Sequence, residues 1–150
     1  MAGCLLCARL EQIDAGRYPY AVAQLSTGYV NLMECQYYEG TVEFVSRVCV
    51  AELHELDPEF RARQLEEMAT VGAAVWRAYG PRKLNYEALG NAVPHLHWRI
   101  IPRLPDDPNP AGPIWENPEF VAAMKAGTAE PTPARRADLK RRLAAALGAR

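Results

Sequence analysis

Two spacings of apolar residues run along the chain, and each predicts a different type of element. Between residues 58 and 79 the apolar side chains recur at steps of three and four, which places them on one helix face. Asp57-Pro58 is a typical helix start, because the carboxylate caps free N–H groups and Pro fits the first turn. Gly80-Pro81 is a typical helix end. The pattern therefore predicts one long helix over residues 58–79.

Shorter segments rich in β-branched and aromatic residues predict strands at 20–33 (two strands about a turn), 41–46, 84–89 and 95–102. Residues 106–118 are rich in proline and predict irregular structure. A last helix is predicted after Thr132-Pro133, with Leu139, Leu143 and Leu147 on one side. The sum is an α+β fold with strands grouped around one long helix. We expect a single domain over 1–150, with its core in 1–118 and a C-terminal extension over 119–150 that carries the last helix.

Composition and charge narrow the class of protein. The chain has 150 residues, 49% of them apolar and 23% charged, the balance of an ordinary globular domain with a core. Its formal net charge of −1 lacks the excess of cations that binding to duplex nucleic acid needs. No apolar run approaches the roughly 20 residues of a membrane span, and the first residues do not resemble a secretory signal. We therefore expect a cytoplasmic protein that binds neither duplex nucleic acid nor membranes.

Two of the three histidines lie in the predicted strand 95–102, in alternation with apolar residues. Because successive side chains of a strand point to opposite faces, His95, His97 and Arg99 share one face. Such a polar row is costly in a core, which favours a functional site. A neutral imidazole can attack phosphorus, and an arginine can hold phosphate oxygens.

Residues 95–103 resemble the H-φ-H-φ-H-φ-φ signature of the histidine-triad (HIT) family, including the Pro-Arg that often follows it. Residues 85–91 are similar to the family's approach to this strand, and residues 48–56 are similar to the segment after its Pro-Lys-x-His. The resemblance covers about residues 4–115 and leaves out the C-terminal segment.

The resemblance implies an antiparallel sheet and a nucleotidyl hydrolase or transferase. By similarity His97, the middle residue of the triad, forms a covalent nucleotidyl-imidazole intermediate, which water or another acceptor then resolves. Asn85 and Asn91 would contact the ribose or the α-phosphate. The implied substrates are nucleoside 5′-phosphates that carry a leaving group: dinucleoside polyphosphates, phosphoramidates or mixed anhydrides. Members of the family are commonly homodimers, so we expect a homodimer.

Two departures from the family bear on the chemistry. The third triad position is Arg99, and an arginine keeps the phosphate donors but does not shuttle a proton near neutral pH. This favours a leaving group that departs without being protonated. The alternatives are transfer instead of hydrolysis and a nucleotide-binding protein with impaired catalysis. Glu34 lies where the family places a ribose-binding Asp and is the candidate in its place. Arg103 is a further candidate for substrate binding, unless it only caps the strand.

The same resemblance implies a metal site. Some members of the family hold zinc with an N-terminal C-x-x-C pair, a later histidine and the first triad histidine. Cys4, Cys7, Cys49 and His95 occupy those places, with Cys49 where the pattern has histidine. A Cys₃His set suits a structural zinc ion that ties the N-terminal arm to the triad strand. The alternatives are three reduced thiols or, for the whole chain, a structural zinc protein whose partner binds the basic C-terminal helix.

Overall fold

A five-stranded antiparallel sheet forms the centre of the computed structural model, which describes residues 3–148. The elements follow in the order α1 (Leu5–Asp14), β1 (Ala21–Gln24), β2 (Gly28–Leu32), β3 (Val42–Ser46), α2 (Pro58–Tyr79), β4 (Lys83–Glu87), β5 (His97–Arg103), α3 (Pro118–Ala126) and α4 (Pro133–Leu147). Single 3₁₀ turns lie at Leu53–Glu55 and Ile114–Glu116. The strand order is β1-β2-β3-β5-β4, and each neighbouring pair is antiparallel. The α+β prediction is confirmed.

The long helix α2 begins and ends where the sequence predicts. The Asp57 carboxylate accepts hydrogen bonds from the backbone N–H groups of Glu59 and Phe60, at 3.0 and 3.3 Å. Gly80 follows the last turn with a φ of 66°, a left-handed conformation that favours glycine. Local capping chemistry therefore fixes both helix ends.

The hydrophobic core occupies one face of the sheet, where α2 and α4 cover the strands. Buried strand residues on this face include Val30, Leu32, Val42, Phe44 and Ile100. The opposite face is only partly covered. Helix α1 packs on it through Leu6 and Leu10, and α3 packs on it through Phe120. The polar strand residues lie between these two helices.

The C-terminal helix completes the core instead of extending it. Leu139 and Leu143 of α4 are fully buried in the main core cluster, as the predicted leucine face requires. The Tyr79 hydroxyl of α2 donates a hydrogen bond to the backbone oxygen of Leu139 at 2.9 Å, and Arg77 donates to that of Ala146 at 2.8 Å. The expected C-terminal extension over 119–150 therefore contributes to the same hydrophobic core as residues 1–118.

Three features differ from the prediction. The strand predicted from residue 95 begins at His97, because the Leu96 N–H donates to the Val50 oxygen at 2.7 Å instead of joining the strand ladder. Helix α1 was not predicted, and neither was α3, which follows the Pro-rich stretch. None of the described helices is both long and apolar enough to cross a bilayer.

Strand β4 ends the sheet with an open edge. Tyr86 of β4 and Trp76 of the adjacent helix α2 are 44% and 48% exposed. The Tyr86 hydroxyl occupies the space that a Cβ atom on Gly72 would fill, so this ring lies directly on α2. Together Tyr86 and Trp76 form an apolar surface, which we call the edge surface.

Candidate functional site

The sheet face opposite the core carries a row of polar side chains on β5. His97 and Arg99 share this face, and the strand register places Glu43 of β3 and Glu87 of β4 beside Arg99. A cavity of about 300 Å³ opens here, and we call it the His97 cavity. Besides His97 and Arg99, its walls include Glu87, Leu89, Asn91, Val93, Trp115 and Met124. Its volume lies at the lower end of the range for small-molecule sites.

One hydrogen bond fixes which nitrogen of His97 is free. Its Nδ1 lies 2.7 Å from the backbone oxygen of His95. Because a carbonyl oxygen only accepts hydrogen bonds, Nδ1 carries the proton and donates it. Nε2 therefore keeps its lone pair, in a side chain that is 9% exposed and lines the cavity. The ring is thus held in the tautomer that a nucleophile requires.

Arg99 brings a fixed positive group to the same wall. Its guanidinium carbon lies 5.2 Å from the centre of the Trp115 ring, within cation–π distance. Its Nε lies 3.8 Å from a carboxylate oxygen of Glu43, too far for a hydrogen bond, and is buried without a partner. Among the described residues, no group accepts a hydrogen bond from its terminal nitrogens. These donors remain available to an anionic ligand.

A second cavity, of about 260 Å³, shares Arg99 and Met124 with the first, and we call it the Glu34 cavity. The Glu34 carboxylate lines it and accepts a hydrogen bond from the Tyr18 hydroxyl at 3.2 Å. Arg99 therefore stands at the boundary of two adjoining cavities. Of the residues proposed to bind substrate, Asn91 and Arg99 line the first, while Glu34 and Arg99 line the second.

The structure places Arg103 and Asn85 apart from both cavities. The Arg103 guanidinium donates to the Asn85 side-chain oxygen at 2.7 Å and to the backbone oxygen of Gly112 at 2.9 Å. It also donates to Asp107 and to the backbone oxygen of Asn109. These contacts occupy the donors of a side chain that is 4% exposed, and they fasten the loop after β5 to the sheet.

The four predicted metal ligands come together although they are distant in sequence. One ligand atom each from Cys4, Cys7, Cys49 and His95 lies within 4.8 Å of all the others. Cys4 directly precedes α1 and Cys7 lies in its first turn, so both thiols lie at one helix end. The remaining cysteine, Cys35, lies outside this cluster and lines the Glu34 cavity.

His95 presents the correct nitrogen to the cluster. Its Nε2 lies 2.8 Å from the backbone oxygen of Ser46, so Nε2 carries the proton and donates it. The lone pair is then on Nδ1, which lies 3.4 Å from the Cys4 sulfur and 3.6 Å from the Cys7 sulfur. A carbonyl that holds the far nitrogen of a histidine in this way is typical of metal sites.

The surroundings of the cluster move the pKa values of Cys4 and Cys7 in opposite directions. Burial alone would raise the pKa of Cys4, but hydrogen bonds from the Cys7 backbone N–H and from the Cys7 and Cys49 thiols lower it. Burial and the neighbouring thiols Cys49 and Cys4 raise the pKa of Cys7 to about 12. A divalent ion would relieve this repulsion, and tetrahedral zinc with sulfur ligands at about 2.3 Å separates ligand atoms by roughly 4 Å. The residues present fit zinc.

Two residues of the site were missed by sequence reasoning. Glu43 is buried on β3, and its carboxylate is bonded to Arg9 of α1 at 2.7 Å. The available signal was a charge between Val42 and Phe44, two residues of the core face. Arg9 gave no comparable signal, because its role depends on the docking of α1.

Comparisons with known proteins identify a matching family and solved structures of the same fold. Residues 38–106 match the family described as the HIT domain. A histidine triad (HIT) protein from Sinorhizobium meliloti 1021 is 28% identical, with 92% of this chain and 98% of that chain covered and a TM-score of 0.62. A histidine triad protein from Marinobacter aquaeolei VT8 is 27% identical, with 92% and 93% covered and a TM-score of 0.68.

A Zn-bound histidine triad family protein from Mycobacterium smegmatis has the same fold at 18% identity, with 97% of this chain and 94% of that chain covered and a TM-score of 0.66. No curated protein sequence gives a significant match.

Proposed function

This chain belongs to the histidine-triad (HIT) family, and from that premise we propose that it is a nucleotidyl hydrolase or transferase with His97 as its nucleophile. The substrate is a nucleoside 5′-phosphate joined to a leaving group, as in a dinucleoside polyphosphate, a phosphoramidate or a mixed anhydride.

The observation that carries this proposal is the hydrogen bond between His97 Nδ1 and the His95 backbone oxygen. It leaves Nε2 unprotonated in a side chain that lines a cavity. In the proposed reaction Nε2 attacks the α-phosphorus, the N–P bond forms, and the bond from phosphorus to the leaving group breaks with its electron pair. Water or another acceptor then attacks the same phosphorus, and His97 departs with the electrons of the N–P bond.

Arg99 supports this chemistry through its positive charge and its position at the two cavities. Its free terminal nitrogens lie at the boundary of the two cavities, where they would donate to the phosphate oxygens as negative charge develops. Glu34 supports ribose binding, because a carboxylate accepts hydrogen bonds from hydroxyl groups. Asn91 offers an uncharged donor in the His97 cavity.

The test is turnover of a nucleoside 5′-phosphoramidate and of a dinucleoside tetraphosphate, with release of nucleoside monophosphate as the readout. We expect His97→Ala to lose activity by several orders of magnitude. His54→Ala is the matched control, because His54 is exposed and lies outside both cavities. Equal turnover in wild type and His97→Ala would contradict the mechanism.

A second candidate function is nucleotide binding with impaired catalysis. The absence of an imidazole at position 99 favours it, because a guanidinium binds phosphate but does not protonate a leaving group. Tight binding of nucleotides without turnover, together with activity gained in Arg99→His, would establish this alternative.

We further propose that the Cys₃His cluster holds a structural zinc ion. The support is the ligand geometry and the orientation of His95, together with the Zn-bound relative of the same fold. The ion would supply a rigid link between α1 and the residue two places before His97. A homodimer through the edge surface is proposed as well, because Tyr86 and Trp76 expose apolar area beside the open outer edge of β4.

A further inference from the structure

We propose that Glu43 is the positioning residue for Arg99, and that Arg9 completes this arrangement as the second cation on the same carboxylate. We call these three residues the Glu43 clamp. The inference rests on the proposed function, because it assigns to the clamp the alignment of a phosphate-binding guanidinium.

The sheet register brings Glu43 and Arg99 together. They are directly paired on β3 and β5, where opposed side chains of one face lie close enough to interact. One Glu43 oxygen lies 2.7 Å from Arg9 Nη1, and the other lies 3.8 Å from Arg99 Nε. The carboxylate thus reaches a different arginine with each oxygen.

Burial makes this carboxylate different from a surface ion pair. The Glu43 side chain is 9% exposed, whereas those of Arg9 and Arg99 are 28% and 22% exposed. A buried carboxylate needs compensation by charge and hydrogen bonds, which Arg9 supplies at close range. Because Arg9 already compensates the charge of Glu43, the other carboxylate oxygen, which faces Arg99, is not needed for that purpose. Stability alone therefore does not account for this contact.

The part of Arg99 that faces Glu43 determines what the clamp does. Only Nε, on the stem side of the planar guanidinium, approaches the carboxylate, while the Trp115 ring lies against the group. The terminal nitrogens are left free at the boundary of the cavities. The carboxylate therefore attracts the Nε side of the guanidinium by charge, at 3.8 Å, and leaves the terminal nitrogens to the ligand.

The clamp itself carries a net charge of plus one, from two arginines and one carboxylate. Further carboxylates line the same cavities, Glu87 the first and Glu34 and Glu130 the second, so a phosphate depends on well-aligned donors more than on the overall charge. A neutral residue at 43 would raise the charge of the group from plus one to plus two, which attracts an anion, but it would also remove the carboxylate that faces Arg99. We expect the loss of alignment to outweigh the added charge, so that Glu43→Gln weakens the contribution of the phosphate to binding more than that of the nucleoside.

The experiment measures that contribution. Calorimetric Kd values are determined for AMP, GMP, CMP and UMP and for the four matching nucleosides, with wild type, Glu43→Gln, Arg99→Gln and the double variant. We expect Glu43→Gln to reduce the Kd ratio of nucleoside to monophosphate at least threefold. In the Arg99→Gln background the same substitution should change this ratio less than twofold. Glu43→Asp keeps the charge and is expected to retain part of the ratio.

The outcomes separate the two proposals. Equal weakening of nucleoside and monophosphate by Glu43→Gln, or an undiminished effect in the Arg99→Gln background, overturns the positioning role alone. A wild-type protein that binds none of the monophosphates overturns the proposed function and the clamp with it. If Glu43→Gln does not fold, as judged by circular dichroism, the comparison rests on Glu43→Asp and Arg9→Gln. The positioning role then requires both variants to lower the Kd ratio of nucleoside to monophosphate in the wild-type background and to leave this ratio unchanged in the Arg99→Gln background.

Discussion

Replacement of Cys49 by alanine is predicted to abolish zinc binding and to loosen helix α1. Cys49 is the proposed ligand at the position where the resemblance implies a histidine, and its sulfur belongs to the cluster of four ligand atoms within 4.8 Å. Three remaining ligands hold a metal less tightly than four, because a structural zinc site is normally a closed tetrahedron. Since Cys4 and Cys7 lie at the start of α1, the loss reaches the packing of that helix.

The expected loss of stability in Cys49→Ala depends on how much apolar surface α1 buries. Leu6 and Leu10 are its buried residues, 4% and 8% exposed, and full burial of a leucine side chain contributes about 1.5–3 kcal/mol. Detachment of α1 therefore removes at most roughly 3–6 kcal/mol, and the entropy that the freed segment regains makes the net loss smaller. At about 2–4 °C per kcal/mol for a domain of this size, a loss of about 3–6 kcal/mol corresponds to a fall in Tm of roughly 6–24 °C, and the regained entropy makes the expected fall smaller than this.

The assay combines metal content and thermal unfolding in reducing buffer. We expect about one zinc per wild-type chain, and none in Cys49→Ala after dialysis against a mild chelator. Cys35→Ser is the matched control, because this cysteine lies outside the cluster and its loss leaves all four ligands in place. Two results would refute the reasoning: zinc retained equally by Cys49→Ala, or a metal-free wild type whose Tm does not respond to chelator.

Two further predictions concern the edge surface and acid stability. Trp76→Glu is expected to convert a dimer into monomers in sedimentation velocity, because it places a charge in an apolar contact beside Tyr86; a monomeric wild type would contradict this. Burial alone would raise the pKa of Glu67, but hydrogen bonds from Ser26 and Thr27 lower it below its ordinary value of 4.5. The stabilisation is therefore complete above about pH 4.5 and is lost as pH falls through the lower folded-state pKa. In urea unfolding, Glu67→Gln should lower the free energy of unfolding by about 1 kcal/mol at pH 7 and by much less at pH 3. An equal loss at the two pH values would contradict this role of Glu67.

Much of the fold was predictable because its signals are local. Asp57 and Gly80 fix the ends of α2 through contacts within one turn, and the leucine spacing of α4 predicted its buried side. Helix α3 has the same kind of start, with Asn117 capping and Pro118 next, but a long Pro-rich stretch before it obscured the signal. Helix α1 was missed because Cys4 at its N-cap position makes no side-chain capping hydrogen bond.

The candidate site likewise contains residues that were predictable from local signals and residues that were not. The place of His97 on the polar face was predictable from the alternation along one strand. The clustering of Cys4, Cys7, Cys49 and His95 was predictable from the resemblance, although His95 lies outside the strand. The roles of Glu43 and Arg9 were not predictable, because they depend on the pairing of β3 with β5 and on where α1 packs. Pairing across a sheet joins residues that are far apart in the chain, and a single sequence does not record it.

The distribution of polar residues over the sheet has a consequence for substitution. The main core lies between the sheet and helices α2 and α4, while the opposite face combines Glu43, His97 and Arg99 with the buried apolar residues Val45 and Ile101. A substitution at one of the three polar positions therefore changes the cavity walls and leaves the main core in place. We expect a chain organised in this way to accept different residues at position 99, and to offer a stable scaffold on which new substrate preferences can arise.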